Sequence, residues 1–252
     1  MPIITISRGS FAGGSAVARE LCQQLGYPCL SREDALSLAA RDYGIVEEEL
    51  RKSLNASPRF WEEVPGKRLA YVKCLTAVLL DQVRDDNLIY HGNVGHLLLS
   101  GLDHVLRVRV TADLEYRVNA AMSQAGLSRD KALAHIQRVD EGRCRWARLL
   151  YGVDWADPTQ YHLTLNLGEV SVATAAAVIV RMSEGDEFRA SEQAHRQLAD
   201  LHLGSRVWAA LAKNPLTRTA GIQVAAHDGE ISITGSVNSA QAVDLIPRIV
   251  GE

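Results

Sequence analysis

The chain has 252 residues, 47% of them hydrophobic, and its 27 Lys and Arg against 30 Asp and Glu leave a formal net charge of −3. Length and apolar content suffice for one large domain, or a medium domain with a smaller one, around a buried core. The near-balance of charge excludes a global electrostatic footprint for nucleic acid or an anionic membrane, and no stretch reaches the about 18 consecutive apolar residues that span a bilayer.

Ile3-Ile4-Thr5-Ile6 is a short apolar strand that runs into Ser7-Arg8-Gly9-Ser10-Phe11-Ala12-Gly13-Gly14-Ser15, after which an amphipathic helix opens at Ala16. A strand that turns through glycines into a helix leaves the first amides of that helix pointing outward at the positive end of its dipole, where a phosphate binds. Against the phosphate-loop pattern G-x-x-x-x-G-K-[ST], Gly13 and Ser15 match, whereas Arg8 replaces the first glycine and Gly14 the lysine. Arg8 could supply the missing cation from the other side of the loop; the alternative is a glycine turn that binds nothing.

Val17, Leu21 and Leu25 give the helix an inward face, and Gly26 ends it. Tyr27 to Leu30 predicts a second strand, with Ser31 capping a helix through Ala40. A short acidic helix follows over 45–54, then a loop from Asn55 to Gly66 carrying Phe60 and Trp61, then a longer helix from Lys67 to about Arg84. Leu88-Ile89-Tyr90 is a buried strand that stops at His91-Gly92-Asn93, with His91 read as a capping or packing residue. His104 to Val110 is the next strand, and Thr111 or Asp113 caps the helix behind it. Strands separated by helices in this rhythm predict a parallel sheet covered on both faces, with ligands beyond the carboxyl ends of its strands.

Ser128 caps the most charged helix, from Lys131 to about Leu150. At about 100° per residue, Arg138 and Arg145 share a face with Glu141, Arg148 lies close to it, and Arg143 points elsewhere. The alternatives are a solvated helix with local ion pairs and a face that meets phosphate. Gln160 to Asn166 is the fifth strand, and Val170 to Val180 an alanine-rich helix. Beyond the polar interruption at Ser183 to Glu187 come a helix over Val207 to Ala212, a hairpin of Ile222-Gln223-Val224 and Ile231-Ser232-Ile233 around Asp228-Gly229, and a final helix from Ala240 to Val250. Cys22, Cys29, Cys74 and Cys144 lack C-x-x-C spacing, which predicts neither zinc site nor disulfide framework, and the first residues lack the pattern of an export signal. Reduced thiols in a cytoplasmic protein are the expectation.

Ile4-Thr5-Ile6-Ser7-Arg8 with Gly13-Gly14, Ser31-Arg32-Glu33, Arg117 after Asp113, and above all Arg138-Val139-Asp140, Arg143, Tyr151-Gly152 and Asp154 to Pro158 leading into Tyr161 and Asn166 form a set of local phrases. Together, over roughly residues 2–182, they resemble the cytidylate-kinase-like branch of the P-loop nucleoside monophosphate kinases. The resemblance implies transfer of a phosphoryl group from ATP, with Mg2+, to CMP or a related pyrimidine monophosphate. It implies donor contacts at Gly9, Gly13, Gly14, Ser15 and Arg117, with Ser15 also near the metal. Arg8, Arg138 and Arg143 would meet the transferring phosphate, the latter two from a mobile lid, and Arg32, Asn93 and Asp140 would bind the acceptor. Trp146 and Trp155 are read as packing residues. Ser31, where an acidic residue is usual, and His91-Gly92-Asn93, where glycine-arginine is usual, support the alternative of an inactive nucleotide-binding regulator.

Val207, Leu211, Ile222 to Val224, Gly229 to Gly235 and Val237 resemble a BON domain, which implies a phospholipid-surface or protein partner for residues 204–252 and an adaptor role as a further alternative. The domain boundaries that follow are 1–184 for the kinase-like part, 185–203 for a linker or helix, and 204–252 for the BON-like part. The fold class is α/β, a P-loop NTPase-type parallel sheet with helices on both faces, plus a small α+β C-terminal domain. A small-molecule nucleotide is the expected substrate, nucleic acid is not an expected partner, and a homo-oligomer is compatible with the reading.

Overall fold

A computed structural model describes residues 2–55, 65–92, 94–218, 221–237 and 239–251. In chain order its elements are β1 Ile3–Arg8, α1 Gly14–Leu25, β2 Cys29–Ser31, α2 Arg32–Tyr43, α3 Glu47–Asn55, α4 Pro65–Gln82, β3 Ile89–Gly92 and α5 Gly95–Leu98. They continue with β4 Val105–Thr111, α6 Leu114–Ala125, α7 Arg129–Tyr151, β5 Leu163–Asn166, α8 Val172–Ser183 and α9 Glu192–Lys213. The last are α10 Pro215–Arg218, β6 Gly221–His227, β7 Glu230–Ser236 and α11 Ala240–Val250. Phe60, Trp61 and Asn93 lie outside the described residues. Among the described residues no helix is long and apolar enough to cross a membrane.

The chain divides into two compact units, residues 1–32 with 86–190, and residues 33–85 with 191–252. The first holds five parallel strands in the order β2-β3-β1-β4-β5, as the alternation of strand and helix predicts. β1 is central because its sequence can be buried on both faces. Ile4 and Ile6, in register with Leu106 and Val108, face a core completed by Val17, Ala18 and Leu21 of α1 and by Ala175, Ala176 and Ile179 of α8. Thr5 and Ser7, on the opposite face, are 1% and 2% exposed, so this strand ends inside the protein rather than in solvent. Asp113 caps α6 by accepting from the Tyr116 N–H at 2.8 Å, while Ser128 makes no side-chain cap to α7.

In the second unit, the small residues Ala70, Cys74 and Ala77 of α4 let α9 approach closely, with Trp208 packed against Ala70 and Ala212 and with Ala209 against Cys74 and Ala77. The predicted helix over 207–212 is the end of a much longer one, since α9 starts at Glu192, where Ser191 caps it by accepting from Ala194 N–H at 3.1 Å. β6 and β7 form the expected antiparallel hairpin. Asp228 and Gly229 both take positive φ, 49° and 80°, and the Asp200 carboxylate accepts both of their N–H groups at 2.9 Å. The apolar side of α11, Ile246 and Ile249, packs on the Leu211 and Ile222 core.

The expectation of four reduced cysteines is corrected. Gly26 ends α1 in the left-handed conformation and reverses the chain, so Cys29 at the start of β2 returns beside Cys22, Cα to Cα 6.0 Å, and the two form a disulfide. A rule confined to C-x-x-C spacing does not see a helix-turn-strand reversal that closes a separation of seven. Cys74 and Cys144 are free thiols. Replacing Cys22 and Cys29 together by serine should lower the free energy of unfolding by about 2 kcal/mol, the chain-entropy value for so short a loop. Urea titration without reductant checks this, and an unchanged midpoint would show that the bridge adds no stability.

Candidate phosphate-binding site

β1 ends at Arg8 and α1 begins at Gly14, so the intervening loop lies at the carboxyl end of the central strand. Gly13 takes the N-cap position with φ 81°, a conformation that a side chain would strain, and a Cβ there would stand 2.6 Å from Leu167. The N–H groups of Gly13, Gly14 and Ser15 have no intrahelical acceptor and share the positive end of the helix dipole. A cavity of about 540 Å³ opens over them, lined by the loop from Arg8 to Ala16 and, from α7, by His135, Val139 and Arg143. Its lining contains two arginine side chains of the sequence-predicted set, Arg8 and Arg143, and no carboxylate.

Arg8 fills the place where a residue-14 side chain would begin. A Cβ on Gly14 would come 2.7 Å from both Cβ and Cδ of Arg8. The glycine at the lysine position and the arginine at the first glycine position are therefore sterically matched, since the Arg8 stem occupies the space that a side chain at 14 would need. Arg8 Nη2 stands 3.5 Å from Nδ1 of His91, at the end of the neighbouring β3.

The loop is held from α6 and α7. Arg117 Nε donates to the Ser10 carbonyl at 2.8 Å, and its guanidinium carbon lies 3.3 Å from the point that a Gly9 Cβ would occupy. Arg143 Nη1 donates to the Arg8 carbonyl at 2.7 Å. Asp140 accepts the Ser10 N–H at 3.2 Å, pairs with Arg117 and stands 3.6 Å from Arg143. Burial, more than any neighbour, lowers the pKa of Arg143, to about 10; Asp140 opposes the shift, and Arg8, Arg32 and Arg117 add to it.

Behind the loop, Trp155 Nε1 donates to Ser7 Oγ at 2.8 Å, and the Tyr161 hydroxyl sits 2.9 Å from the Trp155 carbonyl. Arg109 donates to that same carbonyl and lies over the Trp155 ring at 4.5 Å, with Arg143 at 6.0 Å. Trp155 is 3% and Trp146 6% exposed, and both pack as the sequence predicts. His96 is buried against the Tyr161 ring, 4.6 Å between centroids. Desolvation first, then Arg107 and Arg109, bring its pKa down to about 3.

The structure thus brings together Arg8, Gly9, Gly13, Gly14, Ser15, Arg117, Asp140 and Arg143. Arg138 is exposed, with Nη2 3.4 Å from Nδ1 of His135, and does not line the cavity. Arg145 is paired with Glu141 at 3.7 Å. Arg32 opens α2, its Cβ 3.0 Å from where a Gly92 Cβ would be, at the end of β3. Asp140, expected at an acceptor nucleotide, accepts from the Ser10 N–H of the loop and pairs with Arg117. Sequence reading missed the Ser7, Arg109, Trp155 and Tyr161 network, although the Asp154 to Tyr161 block was its visible signal.

Residues 3–169 match the model of the cytidylate kinase-like family, and residues 199–252 that of the BON domain. A cytidylate kinase of Ignicoccus hospitalis is 25% identical over 182 residues, covering 72% of this chain and 99% of its own. A cytidylate kinase of Thermococcus kodakarensis is 21% identical over 165 residues, covering 65% and 78%. The crystal structure of an uncharacterized protein from Eubacterium ventriosum shares the fold, with a TM-score of 0.58 at 17% identity, covering 73% of this chain and 99% of that one.

Two outcomes follow from this geometry. Gly14→Lys, which restores the usual loop residue, should destabilise the protein by about 1–3 kcal/mol through overpacking on Arg8. Adding Arg8→Ala should recover part of that loss, and strict additivity in a denaturation cycle would refute the steric match. Because the folded pKa of His96 lies below its ordinary 6.5, the unfolded chain binds the extra proton and stability falls as pH drops below 6.5 towards 3. His96→Phe should remove about 1.5 kcal/mol of that decline between about pH 6.5 and pH 5, read from urea titrations at both values.

Proposed function

We propose that this chain, which belongs to the cytidylate kinase-like family, transfers the γ-phosphoryl group of ATP to CMP or a related pyrimidine monophosphate. The observation that carries the reading is the cavity lined by helix amides and three arginines, Arg8, Arg19 and Arg143, with Arg143 Nε buried and without an acceptor among the described residues. Such an orphaned donor fits a phosphate oxygen. In the transfer, the bond from the γ-phosphorus to the bridging oxygen of ADP breaks and a bond to an acceptor phosphate oxygen forms. The protein's part is to hold the groups in line and to neutralise charge.

In this reading Gly13, Gly14 and Ser15 hold the donor phosphates through their N–H groups, and Arg117 flanks them at Gly9. Arg8 takes the role usually given to the loop lysine, Arg143 meets the transferring group, and Arg32 serves the acceptor. For Mg2+ the cavity offers the Ser15 hydroxyl and no carboxylate, which suits an ion carried mainly by water and nucleotide oxygens. When bound, the ion would neutralise phosphate charge. That same lack of a carboxylate favours a second reading, a regulator that binds nucleotide without turnover. We assign partner binding, to a protein or a phospholipid surface, to the BON-matching C-terminal segment.

Mixing protein, ATP, Mg2+ and CMP should yield ADP and CDP. Absence of product from every common nucleoside monophosphate at high enzyme concentration would overturn the kinase reading, and calorimetric binding of ATP without turnover would select the regulator. Arg8→Ala should lower kcat by about 10²- to 10³-fold with a smaller change in KM for CMP, as expected for loss of a charge that acts on the transition state.

A further inference from the structure

The second unit contains a cleft of about 320 Å³ with no part in the proposed transfer. Its walls come from both sequence segments of that unit: Tyr43, Ile45 and Tyr71 from the part between β2 and β3, and Ala212, Lys213 and Arg218 from α9 and α10. The floor is apolar and made of small side chains, Ala70, Cys74 and Ala212, each almost fully buried.

The cleft carries two cations, Lys213 and Arg218, and one carboxylate, Glu49, and among the described residues neither cation is paired with a carboxylate. Lys213 Nζ lies 4.9 Å above the Tyr43 ring and 3.5 Å from the Asp42 carbonyl oxygen. Arg218 Nε is buried and has no hydrogen-bond acceptor among the described residues. Glu49 also lines the cleft and accepts there from the Tyr71 hydroxyl at 3.0 Å, while Asp42 is paired with Arg41 at 2.7 Å. A buried guanidinium N–H without an acceptor costs stability, and an anion placed in the cleft would relieve it. A planar carboxylate matches the guanidinium fork, while the aromatic and small apolar lining suits a flat hydrocarbon body beside it.

We propose that this cleft binds a small organic carboxylate with an apolar, preferably aromatic, body, its carboxylate on Arg218 and Lys213 and its body over Cys74. Because the ligand would touch both sequence segments of the unit, it would tie α3 and α4 to α9 and α10. The proposal does not depend on the kinase reading.

Fluorine NMR of the full-length protein with para-fluorobenzoate as probe tests it, with para-fluorobenzyl alcohol as the neutral analogue and inorganic phosphate as competitor. The carboxylate signal should broaden on addition of protein and the alcohol signal should not. Arg218→Gln should weaken probe binding about tenfold and Lys213→Gln by less, as for the loss of one charge-assisted hydrogen bond. Arg8→Ala, in the other unit, should leave probe affinity unchanged. Equal binding of the alcohol, displacement by phosphate at the probe's own concentration, retained affinity in Arg218→Gln with circular dichroism unchanged, or loss of binding in Arg8→Ala would each overturn the proposal.

Discussion

The geometry of the loop depends on how Arg117 and Arg143, close neighbours of Arg8, can be packed against its backbone. Arg143, 13% exposed in its side chain, is disfavoured in its charged form first by burial and then by the neighbouring arginines. Asp140 supplies the compensating charge and does so while accepting the Ser10 N–H. One carboxylate therefore fixes the arginines and the loop backbone at once. Breaking such a buried arrangement by removing one partner costs far more than the arrangement itself contributes, because the remaining charges are left without compensation.

This constraint changes how α7 is to be understood. A lid that carries arginines to a phosphate and swings away would hold them in solvent when open. Arg138 fits that picture, since it is exposed. Arg143 does not: it is bonded to the Arg8 carbonyl and backed by the Trp155 ring, which is itself anchored to Ser7 of β1. The half of α7 that carries Asp140 and Arg143 is thus tied to the central strand through side-chain bonds.

Much of this was legible from residue order. An apolar strand followed by glycines and a fourfold apolar pattern leaves few alternatives to the β1-loop-α1 unit, and Asp-Gly between two alternating runs gave the hairpin. What was not legible required three dimensions. Helical phase separates Arg143 from Arg138, but phase alone does not say which face is inward, and it is burial that distinguishes the two. Likewise α9 reads as polar over much of its first half, and its helicity there comes from a cap at Ser191 and from tertiary burial of Ala194, Leu198 and His202 rather than from a strong apolar stripe.

The disulfide and the steric match of Arg8 with Gly14 expose a common limit of pattern matching. Spacing rules describe residues that meet along one element, whereas Cys22 meets Cys29 across a reversal and Arg8 meets Gly14 across a loop. In the second case the fixed positions of the pattern do not vary one by one. Sterically they are one unit: the glycine at 14 is what admits the arginine stem, and the stem leaves no room for a lysine. The Arg8 side chain is rooted in the central strand of the sheet, where it carries a charge beside the loop. Its anchorage comes from β1, while α1 contributes its amides.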